Sequence, residues 1–214
     1  MAVITVSKFI IDPSELRSGL ASDLHLVEPR SPGVHQSDII RDLENTVIKP
    51  GQRPPDIQIK PEEMALLNVY RELGFMWEVV LEAVFKRRRV ENLDGRKFLR
   101  QMEVLFEGVY RTIDAIHIPD WRVLEYKLTF RSANRASLDR IETDFWSWFV
   151  QIKGNCYSQG TRLASLFVLF VNGTYNPPVP EPLRFDIIFE EEELEDNHRM
   201  LMTHLEVMRE EGRA

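Results

Sequence analysis

Apolar and polar residues alternate along Arg111–Ile118 and again along Arg122–Thr129, the period-two pattern of half-buried strands. Pro119-Asp120 between them predicts a tight turn, so the two runs are expected to pair as a β-hairpin whose first strand begins near Glu103. With the turn centred between Pro119 and Asp120, paired residues sum to 239 and Asp114 faces Glu125. Directly opposed side chains lie roughly 4.5–5.5 Å apart at Cβ, and like charges there destabilise a hairpin unless something positive intervenes.

Elsewhere the period is helical. Ser37 is expected to cap a short helix over Asp38–Asn45. Pro61, Glu62 and Glu63 open a long helix to about Arg89, with an apolar stripe at Leu66, Tyr70, Leu73, Trp77, Val80 and Val84. Ser137 heads a third helix with Leu138, Ile141, Phe145, Trp148 and Ile152 on its buried side, stopped at Gly160. The apolar run Ser165–Val171 and the run Arg184–Phe189 read as strands separated by a linker to Pro182. An acidic helix closes the chain, with Leu194, Leu201, Leu205 and Met208 on one side, open to packing on its own body or on a second subunit. Residues 1–60 hold Pro13, Pro29, Pro32, Pro50, Pro54 and Pro55 and read as a loop-rich elaboration. The expected fold is therefore α/β, a three-layer sandwich around a central mixed sheet. The whole of 1–214 is read as one domain, with the core in 61–190 and the acidic helix in 191–214.

Composition narrows the classes. An apolar content of 43% and an aromatic content of 10% describe an ordinary globular chain. No apolar run approaches the roughly 20 residues of a membrane span, and the first residues lack the basic flank and apolar core of a secretion signal. The single cysteine, Cys156, excludes an internal disulfide, a cysteine zinc finger and a four-cysteine iron–sulfur cluster. These features point to a reducing cytoplasm. The net charge is −7, but residues 86–140 carry 13 Lys/Arg against 8 Asp/Glu, while 181–214 carry 4 against 11. A polyanion would be drawn to the hairpin segment and repelled from the C-terminal end; otherwise these are simply solvated surface charges.

The candidate chemistry lies on the hairpin. Lys127 is two residues beyond Glu125 and shares its face. Two carboxylates beside a lysine suit a hard Mg²⁺ or Mn²⁺ ion and a phosphodiester; the bland alternative is a solvated Glu/Lys pair on an outward strand. Glu78, one turn after Gly74 on the long helix, adds a third carboxylate or is an exposed helical glutamate. Gln151 and Tyr157 offer a polar edge on the third helix, able to hold a phosphate oxygen or to stack.

This ordered set, Glu78, Asp114, Glu125-Tyr-Lys127 and then Gln151 through Tyr157, resembles the PD-(D/E)XK nucleases, and within them the RecB-like and lambda-exonuclease-like phage branch, over roughly residues 37–190. The resemblance implies that Glu78, Asp114 and Glu125 hold a metal, that Lys127 is the catalytic lysine and that Gln151 supports the site. It also offers His35 as a further metal ligand, though a surface-loop histidine is the alternative. With only Cys156, the chain departs from the iron–sulfur members.

Two basic features could contact DNA: Lys86, Arg87 and Arg88 at the end of the long helix, and Arg131 and Arg135 after Lys127, with Tyr157 as an aromatic contact. The expected function is Mg²⁺-dependent hydrolysis of DNA phosphodiesters by an end-processing exonuclease of phage recombination or replication. Such an enzyme would act in the host cytoplasm if phage-encoded, and would work as a homo-oligomer or with a recombination partner protein. The competing readings are a structure-specific or restriction-like endonuclease, and a non-catalytic DNA- or protein-binding module on the same fold.

Overall fold

Among the described residues six strands form one mixed sheet in the order β1-β6-β5-β4-β3-β2. They are β1 (Val3–Lys8), β2 (Phe98–Phe106), β3 (Val109–His117), β4 (Arg122–Thr129), β5 (Leu163–Phe170) and β6 (Glu181–Ile188). Only β4 and β5 pair in parallel, because the connection between them is a helix that returns the chain to its starting end. Among the described residues the α-helices are α1 (Gln36–Leu43), α2 (Pro61–Asn92), α3 (Ile141–Asp144), α4 (Trp146–Ser158) and α5 (Glu191–Glu210). The computed structural model describes residues 2–11, 30–48, 61–92, 98–173 and 180–214, and the side chains of all of these except 61–68, 71, 86–92 and 98–101. Among the described residues no helix is long and apolar enough to cross a membrane.

The layers follow from which side chains are apolar. On one face α2 lays Trp77, Leu81 and Val84 against Ala115, Leu124, Tyr126 and Phe167 of the sheet. On the other, Phe145, Phe149, Ile152 and Cys156 pack on Val123, Leu166, Val168 and Phe185. Outside that second layer, α1 and α5 build a smaller core with α4 through Ile39, Ile40, Val150, Leu201, Leu205 and Met208. The apolar stripe of the acidic helix is thus buried on the protein's own body. Four glutamates lead into α5, where Glu190 and Glu193 form a reciprocal capping box and negative charge meets the positive end of the helix dipole. At its far end Asp42 accepts from His204 Nε2 at 2.7 Å and from Arg213, which ties α5 to α1.

Several boundaries differ from expectation. The strand expected from Glu103 is two strands, β2 and β3, joined by Glu107-Gly108 with φ of 49° and 78°. Both central residues of this turn are left-handed, as a tight hairpin requires, and Gly108 adopts that conformation without a Cβ clash. The loop-rich N-terminus supplies the edge strand β1, which pairs along β6 from Val3↔Ile188 to Lys8↔Leu183. His35, not Ser37, stands at the N-cap position of α1. The third helix breaks at Phe145 into α3 and α4, and Leu138, expected inside, is 46% exposed. Along α2 Trp77 and Val84 are buried and Val80 partly so, whereas Tyr70 and Leu73 are exposed; the Leu66 side chain lies outside the described residues. β6 starts at Glu181, ahead of Arg184. Gly160, with φ of 61°, does end α4, and Thr161 N–H donates to Cys156 O at 3.1 Å.

Candidate active site

β3 and β4 pair in the expected register, but only at Ala115↔Leu124, Ile116↔Val123 and His117↔Arg122. The next position would oppose Asp114 to Glu125. There the ladder stops, and Asp114 Oδ2 instead accepts from the backbone N–H of Tyr126 at 2.7 Å. Like charges that would repel across a closed ladder are accommodated by parting the strands. The sheet therefore opens between the two carboxylates.

Helix α4 covers that opening on one side. Asn155 Nδ2 donates to Glu125 Oε2 at 3.3 Å and to Thr112 O at 3.1 Å, bridging the parted strands. One turn earlier, Gln151 Oε1 accepts from Lys127 Nζ at 3.1 Å. The match is metrical: four helical residues rise ~6.0 Å and two strand residues ~6.6 Å, so Glu125 and Lys127 meet Asn155 and Gln151 in step. Lys127 Nζ also lies 2.6 Å from Glu125 Oε1. Glu125 and Asn155 are fully buried, whereas about a fifth of the Lys127 side chain stays open.

The charges of Asp114, Glu78 and Lys127 act on one another. Burial, and after it Glu125, hold Asp114 well above the ordinary carboxylate range, outweighing Lys127 and the Tyr126 N–H. Glu78 rises to about 7, chiefly by burial, with Lys127 pulling it down and Glu125 and Glu82 pushing it up. Burial alone would lower the Lys127 ammonium, but Glu125 and Asp114 outweigh that and keep it above the usual lysine value. Glu78 comes from α2, in the layer opposite α4, and the parted strands bring it within electrostatic reach of the other three. Among the described residues, no three His, Cys, Asp or Glu side chains already stand in metal-ligand geometry.

The surrounding contacts are structural. Gln36 Nε2 donates to the backbone oxygen of Gln151 at 2.9 Å, which fixes α1 on α4. The crossing is close enough that a Cβ on Gly154 would sit 2.4 Å from the Gln36 amide. His35 is 4% exposed, stacked on Tyr110, with Nε2 2.9 Å from Ser31 O and Nδ1 3.5 Å from Glu103. It is a buried residue and not a surface-loop histidine, and it shares a cavity of about 170 Å³ with Gln151 and Asn155, rimmed by Arg30 and Ser37.

Of the expected set, Asp114, Glu125, Lys127, Gln151 and Glu78 come together. Tyr157 does not: it stacks on His198 of α5 at 4.2 Å between ring centroids. Its place beside the site is taken by Asn155, four residues after Gln151, and that spacing was the signal for it. Arg131 donates to Asp144 O at 2.7 Å and Arg135 Nη1 lies 4.0 Å from Asp144, both near the end of β4. The side chains of Lys86, Arg87 and Arg88 lie outside the described residues. Cys156 is buried with its thiol pushed upward by burial.

No protein-family model matches the chain, and no curated protein matches its sequence. Solved structures resemble its fold. The crystal structure of SSO0001 is 15% identical, with a TM-score of 0.45, over 89% of this chain and 84% of that one. A phage-related exonuclease from Haemophilus somnus 129PT is 13% identical, with a TM-score of 0.48, over 80% of this chain and 91% of its own. The fold itself is that of an α/β protein, with a mixed six-stranded sheet among the described residues.

Proposed function

We propose that this protein is a metal-dependent deoxyribonuclease that processes DNA from its ends. The observation that carries the reading is the parted β3–β4 pair, which sets Asp114 and Glu125 around Lys127 while α4 holds Glu125 through Asn155 and Lys127 through Gln151.

Carboxylate oxygens are the donors a hard divalent cation takes, and Asp114 and Glu78 are both raised above their ordinary range, with Lys127 as the cation among them; closing on a metal would require these side chains to draw together from their present positions. Asp114, Glu125 and Glu78 would hold Mg²⁺ or Mn²⁺. When bound, the metal would neutralise phosphate oxygens and acidify water. Lys127 remains protonated at neutral pH, so its ammonium acts as a donor and not as a base, steadying the attacking water and the charge that grows on phosphate. In hydrolysis the water oxygen bonds to phosphorus, the P–O bond to the leaving nucleoside breaks, and that oxygen takes up a proton. Gln151 and Asn155 fix the angles of Lys127 and Glu125 without contacting substrate, as rigid supports do in an accurate site.

End-labelled linear DNA and covalently closed circles, each incubated with Mg²⁺ and with EDTA, test the reading. Linear DNA is expected to shorten from its ends only with Mg²⁺, while circles survive. Rapid Mg²⁺-dependent cutting of circles would make the enzyme an endonuclease, and no cleavage of either DNA would sink the nuclease reading.

A further inference from the structure

The steps that pair Asn155 with Glu125 and Gln151 with Lys127 continue by one more rung. Four residues before Gln151 is Ser147, two residues after Lys127 is Thr129, and both line a second cavity of about 290 Å³. Arg131, Asp144, Trp146 and Trp148 complete its main walls. The cavity thus lies one rung, ~6–7 Å, beyond Lys127 along the same strand and helix.

We propose that this cavity is a nucleoside subsite, holding the base and sugar of the nucleotide next to the scissile phosphate; the proposal rests on the nuclease reading above. A volume near 300 Å³ is at the small end of ligand pockets, sized for one nucleoside and too small for a base pair. Two indoles supply the flat surface on which any base stacks, regardless of sequence. That surface is stiff: Trp148 stacks on Phe145 with centroids 4.2 Å apart, and the Arg131 guanidinium lies 5.2 Å over the Phe145 ring. Groups held in place before binding lose little freedom on binding.

The polar groups of the lining suit the edges of a nucleoside. Glu44 and Asp144 both line the cavity; Asp144 is joined by Arg140 at 3.1 Å, and Arg131 is the cation of the wall. The amino groups of a base would find a carboxylate acceptor in Asp144, and its other polar edges would find the hydroxyls of Ser147 and Thr129. The occupant is therefore an unpaired nucleotide drawn past the site from a single strand.

Ser147→Leu tests this by extending an isobutyl group into the cavity. Two substrates are compared: a single-stranded oligonucleotide, and bis-para-nitrophenyl phosphate, a phosphodiester without nucleosides. Ser147→Leu is expected to lower kcat/KM on the oligonucleotide by about tenfold or more while hydrolysing the small diester at the wild-type rate. In parallel, titration of the wild type with deoxyadenosine is expected to quench tryptophan fluorescence, and Ser147→Leu to abolish the quench. Wild-type cleavage of the oligonucleotide by Ser147→Leu, or equal loss on both substrates, overturns the subsite. If the wild type hydrolyses neither substrate, the nuclease reading itself fails; the deoxyadenosine titration then decides the subsite alone, quenching that Ser147→Leu abolishes supporting it and an absence of quenching overturning it.

Discussion

Gln151 Oε1 receives a hydrogen bond from Lys127 Nζ at 3.1 Å. This contact aims an ammonium that three carboxylates keep charged, and it does so from a helix whose next turn aims Glu125. The site is therefore held by two matched rows of side chains, and each member has a distinguishable role.

Lys127→Ala should lower turnover by about 10²–10³-fold, the usual cost of removing a group that stabilises developing charge. Stabilisation by Mg²⁺ should be retained. Gln151→Ala should cost less in kcat, about tenfold, because the ammonium remains and only its aim is lost. Steady-state kinetics with thermal shifts check both; an unchanged kcat with raised KM for Lys127→Ala would reassign the lysine to substrate holding.

Asp114→Asn should abolish cleavage and the rise in melting temperature on adding Mg²⁺ or Mn²⁺, since that rise comes from binding linkage. Its fold should persist, because an asparagine oxygen can still accept the Tyr126 N–H. Full metal-dependent cleavage by this variant would refute the site.

Glu78 gives a pH signature in EDTA. Its carboxyl is raised from 4.5 to about 7 in the folded protein, so folding favours the protonated form. That contribution is fully present below about 4.5 and is lost as pH rises through about 7. Glu78→Gln, uncharged at every pH, should therefore be more stable than wild type at pH 8 by about 1–3 kcal/mol, with the difference shrinking toward pH 5. Denaturant melts at several pH values measure it, and a difference independent of pH would remove Glu78 from the charge cluster.

Arg111 should matter to stability and not to chemistry. It is 1% exposed, donates to Gly154 O and lies 3.2 Å from His198 Nδ1, which binds Glu107 through Nε2 at 2.9 Å. Burial pulls its guanidinium down to about 10. Arg111→Ala should destabilise by about 3 kcal/mol or more by leaving a cavity and taking away the donor to Gly154 O and His198. Arg111→Lys should not restore it, because one ammonium cannot reproduce the planar fork. Chemical denaturation decides this, and a melt like wild type for Arg111→Ala would refute the account.

Arg131→Ala and Arg135→Ala should weaken DNA binding and each reduce the slope of log affinity against log salt by about one. Anisotropy titrations at several salt concentrations measure this; unchanged slopes would place these arginines outside the DNA path.

Local pattern was enough for much of this. Alternation and the Pro119-Asp120 turn set the β3–β4 register: Ala115↔Leu124, Ile116↔Val123 and His117↔Arg122 each sum to 239 as predicted, although the ladder stops before Asp114 and Glu125. The helical stripe of α5, Leu194, Leu201, Leu205 and Met208, was legible because burial leaves a period in the residues themselves. Glu125 and Lys127 were readable together because period two forces them onto one face. Other features leave no local trace. β1 is a short edge strand with five of its six residues exposed, so it lacks the alternation that burial on one face imposes. The division into β2 and β3 turned on Glu107-Gly108, two residues inside a run that reads as continuous. His35 is buried because Tyr110 stacks on it from a distant strand, and Tyr157 left the site because α5 offered His198. Asn155 could be seen as four residues from Gln151, but its importance depended on β4 running beneath α4 in step with it. Sequence by itself determined the long helices, most of the strands, the hairpin register and the residue types of the site, because those follow from periods of two and 3.6 residues. Only the tertiary structure decided which helix residues stand over Glu125 and Lys127 and where β3 and β4 part, because those depend on how separate elements are set against one another in space.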